Sequence, residues 1–131
     1  MNKQSKKVSC IDIGSNAIKY RQYRLLPNSH LELDTFKRVS LRLGSDAFGS
    51  GKMTDETYLD FLTVLKKLKK HAKKKNAALL GIFATSAMRT FSNREQIIKQ
   101  VKKELNLEIE ILSVNEEASL LKFFNYKEFI D

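Results

Sequence analysis

Three short polar segments of the sequence carry residue types that handle phosphate groups. "DIGSN" at 12–16 places a carboxylate, a glycine and two small hydrogen-bonding residues directly after an apolar stretch. "TSAMR" at 85–89 ends in an arginine, and "NEE" at 115–117 carries two adjacent carboxylates. Each segment follows a stretch with strand character. Because ligands of α/β folds bind where strands end, the three segments together predict a binding site for an oxyanion.

The first segment has the chemistry of a phosphate-binding loop. Gly14 leaves the backbone open to close approach. The amides of Gly14 to Asn16, with the Ser15 hydroxyl and the Asn16 side chain, could cradle phosphate oxygens. Asp12 lies where a carboxylate could hold Mg²⁺, directly or through water. The alternative is a tight hairpin in which Asp12 only caps the turn.

The second and third segments add a cation and a free carboxylate. The guanidinium fork of Arg89 suits a phosphoryl group, although Arg89 could also be a surface residue bridging to a helix. Ser113 and Glu116 have the spacing of a capping box, which assigns Glu116 to the helix start. Glu117 is not part of this capping pattern. It is either a carboxylate available to the site or a first-turn acid that the helix dipole favours.

The elements that must position these residues follow from the hydrophobic pattern. Apolar or alternating stretches predict five strands, at 8–13, 17–25, 31–43, 79–84 and 108–112. In the second, Ile18 and Tyr20 share one face while Lys19 and Arg21 share the other. The glycine-rich stretch 44–51 is predicted as a loop.

Helix signals follow the third, fourth and fifth predicted strands. Thr54 is a predicted N-cap, and residues 92–95 and 113–116 have capping-box patterns. An apolar stripe of residues 58, 61, 62, 65, 68 and 72 marks the first helix, and the third is predicted to carry Ala118, Leu121 and Phe124. The resulting order βββαβαβα predicts a mixed five-stranded sheet with helices on its faces, the order of the ribonuclease H-like unit found in each lobe of actin-like ATPases.

Charge points to anionic partners. The chain of 131 residues has 24 Lys and Arg against 15 Asp and Glu, a formal net charge of +9. Much of this charge lies in "KKLKKHAKKK" at 66–75, where His71 is expected at the surface. The block is either a solvated helix end or a track for a polyanion. In the second case the exposed positions are expected to be Lys66, Lys69, Lys70 and Lys73.

Composition limits the setting in which the chain works. No apolar run is long enough to cross a bilayer, and no signal-peptide core follows the basic N-terminus, so no membrane partner is expected. The single cysteine, Cys10, cannot form an internal disulfide and is expected in the core. These features favour a cytoplasmic location.

Four segments resemble one family when they are taken together. They are "DIGSNA" at 12–17, "RLGSDAFGSGKMTDE" at 42–56, "ATSAMRT" at 84–90 and "SVNEEASLL" at 113–121. In this order they resemble the N-terminal lobe of the exopolyphosphatase / guanosine pentaphosphate phosphohydrolase (Ppx/GppA) phosphatase family. The family usually has serine or threonine where this chain has Ala17, and glycine where it has Val114.

The resemblance implies a specific activity and assigns roles to residues. It implies hydrolysis of the terminal phosphoanhydride of inorganic polyphosphate or guanosine penta- or tetraphosphate, with Mg²⁺ as cofactor. Glu117 matches the family's general base, and Arg89 matches an arginine of its phosphate-binding cleft. Gly14, Ser15 and Asn16 match the phosphate loop.

The resemblance also implies a missing half. The family clamps phosphate between two lobes, and residues 1–131 correspond to a single N-terminal lobe without the second glycine-rich loop. We therefore expect a second lobe as a partner, in cis or in trans; a second copy of the chain is a further candidate partner.

Two other functions stay open. The chain could be a polyanion-binding or regulatory module, with polyphosphate or nucleic acid as ligand and no turnover. A ribonuclease H-like nuclease would need clustered carboxylates for two metal ions, and Asp12 and Glu117 are the sole candidates that the sequence offers.

Overall fold

The structure, a computed structural model, describes residues 6–123, with side chains up to Ser119. Its elements are the strands β1 (Lys7–Ile13), β2 (Ala17–Leu25), β3 (Leu31–Ser40), β4 (Ala77–Ala84) and β5 (Ile109–Ile111), and the helices α1 (Leu43–Phe48), α2 (Asp55–Lys74), α3 (Ser86–Thr90), α4 (Arg94–Leu105) and α5 (Val114–Phe123). The predicted side chains of Leu121 and Phe124 in the last helix lie outside the described residues.

The five strands form one mixed sheet in the order β3-β2-β1-β4-β5. The first three pair antiparallel as a meander, and β1–β4 and β4–β5 pair parallel. This is the predicted architecture. It follows from the short turns between the first strands and from the helical crossovers between the later ones.

The two faces of the sheet differ because side chains alternate along each strand. Ile11 and Ile13 of β1, with Ile18 and Tyr20 of β2, are buried against α2 and α4, where they meet such residues as Phe61. This apolar layer is the core. The opposite face carries Asp12 of β1 with Lys19 and Arg21 of β2, and we call it the open face.

Helix α2 begins as predicted. The side chain of Thr54 accepts a hydrogen bond from the Thr57 amide at 3.2 Å, and Asp55 and Glu56 occupy the first turn. The predicted apolar stripe is buried, since Tyr58, Phe61, Leu65, Leu68 and Ala72 face the core. Packing and capping therefore agree on the register of this helix.

The prediction for β3 was wrong at its C-terminal end. The strand ends at Ser40 instead of residue 43, and the predicted loop at 44–51 begins with α1. Gly44 lies in α1 because the helix approaches the loop after β1: its amide donates to the Ser15 carbonyl at 2.8 Å, and a Cβ there would come within 3.3 Å of Ser15. Glycine here serves close packing rather than a turn.

Two further expectations about local structure were wrong. The pattern at 92–95 is not a capping box: α4 begins after Asn93, whose side chain makes no cap hydrogen bond and instead bonds the backbone of Met53 at both its N–H and its C=O. His71 is half-buried, with its ring edge-on to Tyr20 at 5.2 Å between centroids.

No helix in the described part of the chain is long and apolar enough to span a membrane.

Candidate phosphate-binding site

A pocket of about 470 Å³ lies on the open face, where β1 ends. It is lined by the turn between β1 and β2, by neighbouring strand residues and by the start of α5: Cys10, Asp12, Gly14, Ser15, Asn16, Ala17, Lys19, Arg21, Tyr23, Arg38, Phe83, Thr85, Leu112 and Glu117. The structure thus brings Asp12, the turn and Glu117 to one place.

The turn 14–16 is held from both sides. The Gly14 amide donates to the Ala17 carbonyl at 3.0 Å, and the Ser15 and Asn16 carbonyls accept from Gly44 and Leu41. The Ser15 hydroxyl lies 2.7 Å from that of Ser86 at the start of α3. Within the described chain, no hydrogen bond uses the amides of Ser15 or Asn16. Those amides can donate to an oxyanion.

Asp12 does not cap this turn. No hydrogen bond within residues 6–123 joins its carboxylate to 14–16, and its nearest cation is Arg21, with Oδ2 and Nη1 3.8 Å apart. Burial raises the pKa of Asp12; Arg21 and Lys19 oppose that shift and Glu117 adds to it. The Asp12 carboxylate therefore interacts with the other charged side chains of the pocket instead of capping the turn.

Arg89 joins the pocket through Glu117. Its Nη1 donates to the Leu112 carbonyl at 2.6 Å and lies 3.7 Å from Oε1 of Glu117. Arg89 is not one of the residues that line the pocket. Arg89 thus bridges to α5, which is the alternative role that the sequence left open for it. It also places a guanidinium beside Glu117, the candidate base.

The two adjacent carboxylates separate as the capping pattern predicts. The Ser113 amide donates to Oε1 of Glu116 at 3.0 Å, and the Glu116 amide donates to Oγ of Ser113 at 3.1 Å. These bonds lower the pKa of Glu116. Glu117, one residue on, faces the pocket instead.

The two positions that depart from the family lie differently with respect to the pocket. Ala17 is buried and lines it, so the absent hydroxyl is a real loss of one polar group there. Val114 is 67% exposed and is not among the lining residues. The side chain at 114 is therefore not part of the pocket's wall.

The residues present suit a Mg²⁺ ion that arrives with phosphate, but not a dedicated metal cage. No group of three or more His, Cys, Asp or Glu side chains within the described residues could hold a metal ion. Both pocket carboxylates, Asp12 and Glu117, already lie beside an arginine. Mg²⁺ commonly binds through one or two carboxylates together with substrate phosphates. Asp12 is the carboxylate of this pocket that would hold the ion.

The predicted exposure of the four lysines of the polyanion track was wrong at one position. Lys66, Lys70 and Lys73 are exposed, as expected. Lys69 is half-buried and its ammonium group donates to the backbone carbonyl of Leu105, at the end of α4. Lys69 therefore joins two helices, a role that spacing along one helix could not show.

The sequence reasoning missed Arg21 and Arg38 as pocket residues. Alternation had placed Arg21 beside Lys19 on one strand face, but nothing local indicated that this face lines a pocket. Arg38 enters because β3 pairs with β2 in a register that sets it opposite Lys19. Cross-strand register is the signal that would have found both residues.

The mixed sheet with helices on its faces is a unit of the actin-like ATPase fold. The Ppx/GppA phosphatase family model matches residues 28–123, about three quarters of the chain. The chain therefore belongs to the Ppx/GppA phosphatase family.

Relatives and solved structures agree with this assignment. "Exopolyphosphatase 1" of Mycobacterium tuberculosis is 27% identical over 114 residues, which is 87% of this chain and 33% of the relative. The Ppx/GppA family member of Aquifex aeolicus superposes with a TM-score of 0.80 at 24% identity, over 87% of this chain and 37% of that one. An exopolyphosphatase from Cytophaga hutchinsonii gives 0.80 at 24% identity, over 88% and 36%. The chain spans about a third of the length of these proteins.

Proposed function

We propose that the chain is the N-terminal, phosphate-binding part of a phosphoanhydride hydrolase that releases terminal phosphate from inorganic polyphosphate or guanosine penta- or tetraphosphate. The observation that carries this proposal is the meeting of the turn 14–16, Asp12 and Glu117 around one pocket, with Arg89 at Glu117. The family and its exopolyphosphatase relatives support the same reaction class.

The pocket supplies the groups that such a reaction needs. Amides of Ser15 and Asn16 donate to oxygens of the terminal phosphoryl group. Nη1 of Arg89 is engaged by Leu112 and Glu117, and the guanidinium has further N–H donors with no partner within residues 6–123. These donors stabilise charge as the terminal group is transferred.

Glu117 is the proposed general base. Its carboxylate takes the proton of the attacking water, and its ion pair with Arg89 keeps that carboxylate oriented. Bound Mg²⁺, held at Asp12, would neutralise charge on the phosphate chain. The family's second lobe would supply the opposite side of the clamp.

Phosphate binding by the 131-residue chain tests this proposal. We expect the chain to bind triphosphate, and Arg89→Met to weaken binding about 10- to 100-fold, because a hydrogen bond to a charged group contributes about 1.5–3 kcal/mol. Arg24→Met is the matched control, since Arg24 pairs with Glu32 and Asp34 away from the pocket. Isothermal titration calorimetry at fixed ionic strength gives the affinities. Equal weakening by both variants would show a non-specific charge effect and contradict the proposed site.

The second candidate function is a polyanion-binding or regulatory module without turnover. The exposed side chains of Lys66, Lys70 and Lys73 favour it, because they lie on a helix surface that a long anionic chain can reach. Glu117 discriminates the two functions. A hydrolase loses turnover without this carboxylate, whereas a binding module does not depend on it.

A further inference from the structure

We propose that Ser86 is a positioning residue of the phosphate site. Its hydroxyl group donates to Oγ of Ser15, which leaves the Ser15 proton to donate to a phosphate oxygen. This inference rests on the proposed function and adds a residue that acts on the same site from outside it. The two hydroxyl oxygens lie 2.7 Å apart, and Ser15 lines the pocket whereas Ser86 does not. Ser15 is therefore the member of the pair that a bound anion reaches.

The direction of this hydrogen bond decides what Ser15 offers to the pocket, because a serine hydroxyl has a single proton. If Ser15 donates to Ser86, its oxygen presents lone pairs to the pocket, and these repel an anion. If Ser86 donates to Ser15, the Ser15 proton points into the pocket. The oxygens of an ionised phosphate accept hydrogen bonds and donate none, so this ligand binds the second arrangement. Two hydrogen bonds in a row also polarise and strengthen one another.

Other contacts already hold the backbone on both sides of the pair. The Thr85 amide donates to the Ile13 carbonyl at 3.1 Å, and the Gly44 amide donates to the Ser15 carbonyl at 2.8 Å. A Cβ at Gly44 would come within 3.3 Å of the Ser15 Cβ, so α1 packs closely against the base of this side chain. These contacts leave the direction of the Ser15 O–H bond open. Among the described residues, Ser86 is the hydrogen-bond partner that sets this direction.

Helix α3 supports the pocket in the same way at a second point. Nη1 of Arg89 lies 3.7 Å from Oε1 of Glu117, as the Ser86 hydroxyl lies beside that of Ser15. Neither Arg89 nor Ser86 lines the pocket, whereas Glu117 and Ser15 both do. Three residues separate Ser86 from Arg89, so both side chains lie on one side of this short helix. The helix therefore orients two groups of the pocket from behind them.

Triphosphate binding by single and double variants of the 131-residue chain tests the positioning role. We expect Ser15→Ala to weaken binding about 10- to 100-fold, because it removes a hydrogen bond to a charged group, and Ser86→Ala to weaken it about 3- to 10-fold. In the Ser15→Ala background, Ser86→Ala should change the affinity by less than about twofold, because the hydroxyl group that it orients is gone. Ser86→Thr keeps a hydroxyl group and should restore binding.

Thr90→Val is the matched control. The Thr90 hydroxyl group lies in the same helix and donates to the Ser86 carbonyl at 3.1 Å, so this variant removes a neighbouring hydroxyl group that is not a partner of Ser15. Its affinity for triphosphate should equal that of the wild type. Calorimetric titrations at fixed pH and ionic strength give the affinities, and the melting temperature of each variant reports on the fold. A merely structural role for Ser86 predicts a lower melting temperature and an equal loss of affinity with and without the Ser15 hydroxyl group.

The outcomes separate this inference from the proposed function. If Ser86→Ala binds triphosphate as the wild type does, or weakens binding by the same factor in the Ser15→Ala background, the positioning role is overturned and the site at Arg89 is unaffected. If Ser86→Ala and Ser15→Ala are coupled as expected while Arg89→Met changes nothing, the positioning role stands and the proposed site at Arg89 fails. Failure of the wild-type chain to bind triphosphate overturns both.

Discussion

Two positively charged regions of this molecule differ in how their side chains are held. In the pocket, Arg21 is buried, with Nη1 3.8 Å from Oδ2 of Asp12 and its guanidinium carbon 5.4 Å from the centroid of the Phe36 ring, so these neighbours hold the charge in place. On α2, Lys66 and Lys70 are exposed on a helix surface and their ammonium groups stay solvated. The strands of the pocket therefore present cations that their neighbours hold in place, whereas the end of α2 presents exposed, solvated cations. The first arrangement can select a ligand by geometry, and the second can only attract one.

The largest expected effect comes from replacing Glu117, a carboxylate of the pocket that has no counterpart in the helix block. We expect Glu117→Gln to lower the rate of phosphate release from polyphosphate by about 10²- to 10⁴-fold, because a general base contributes that much. Polyphosphate affinity should not fall, since the change removes a negative charge. The rate of phosphate release is measured on the purified protein. We expect the 131-residue chain by itself to turn over slowly, because it spans about a third of the length of the exopolyphosphatases it resembles and phosphoryl transfer depends mostly on positioning groups.

Glu116→Gln is the matched control for this prediction. It alters the neighbouring carboxylate by the same atoms, and glutamine can still cap the Ser113 amide. Equal rates for Glu117→Gln and Glu116→Gln would remove Glu117 from the chemistry. That result would favour a binding module.

A smaller effect is expected from the helix block. Replacing Lys66, Lys70 and Lys73 with alanine should weaken binding of long polyphosphate several-fold at low salt. It should also make the dependence of log affinity on log salt less steep by about 2, because each neutralised phosphate releases about 0.7 of a counterion. Titrations at four or five salt concentrations measure the slope. The melting temperature should stay unchanged.

Lys69→Ala sharpens the same comparison. Lys69 donates to the Leu105 carbonyl, so its loss should cost about 1 kcal/mol of the free energy of unfolding and leave the salt slope nearly unchanged. Urea denaturation measures the first quantity. A triple variant that binds polyphosphate as the wild type does would show that the block is a solvated helix end.

The sequence predicted most of the fold because most of it follows from local patterns. An apolar run marked β1 and alternation marked β2. The Thr54 cap and apolar stripe marked α2, and the Ser113–Glu116 box separated Glu117 from its neighbour. Each of these signals lies within one element. Each could therefore be recognised without knowing what packs against it.

What the sequence could not show depends on contacts between distant segments. Gly44 marks a loop by itself but lies in α1 because Ser15 is close by. Asn93 looks like part of a cap but bonds the backbone of Met53, forty residues earlier. Arg21 and Arg38 become pocket residues through the register of β2 and β3. Tertiary packing decides each of these cases against the local pattern.

His71 shows that the helix block is not wholly solvated. It lies among the lysines of α2, yet its Nε2 is buried and has no hydrogen-bond partner within residues 6–123. Burial lowers the pKa of His71, and Lys37, Lys75 and Lys74 lower it further. The histidine therefore stays neutral in the folded chain at pH values where it is already protonated in the unfolded chain.

The smallest predicted effect follows from this shift. Below the unfolded pKa of about 6.5, His71 is protonated in the unfolded chain but stays neutral in the folded chain. The contribution of His71 to stability therefore falls as pH falls from about 6.5 through the folded pKa. We expect the melting temperature to drop between pH 7 and pH 5, and His71→Gln to reduce that drop. His30, which is exposed in the turn before β3, provides the control variant His30→Gln. If both variants follow the wild-type pH profile, the ring of His71 titrates as a solvated group. The contrast with the pocket then extends to every titratable side chain of residues 66–75 except Lys69.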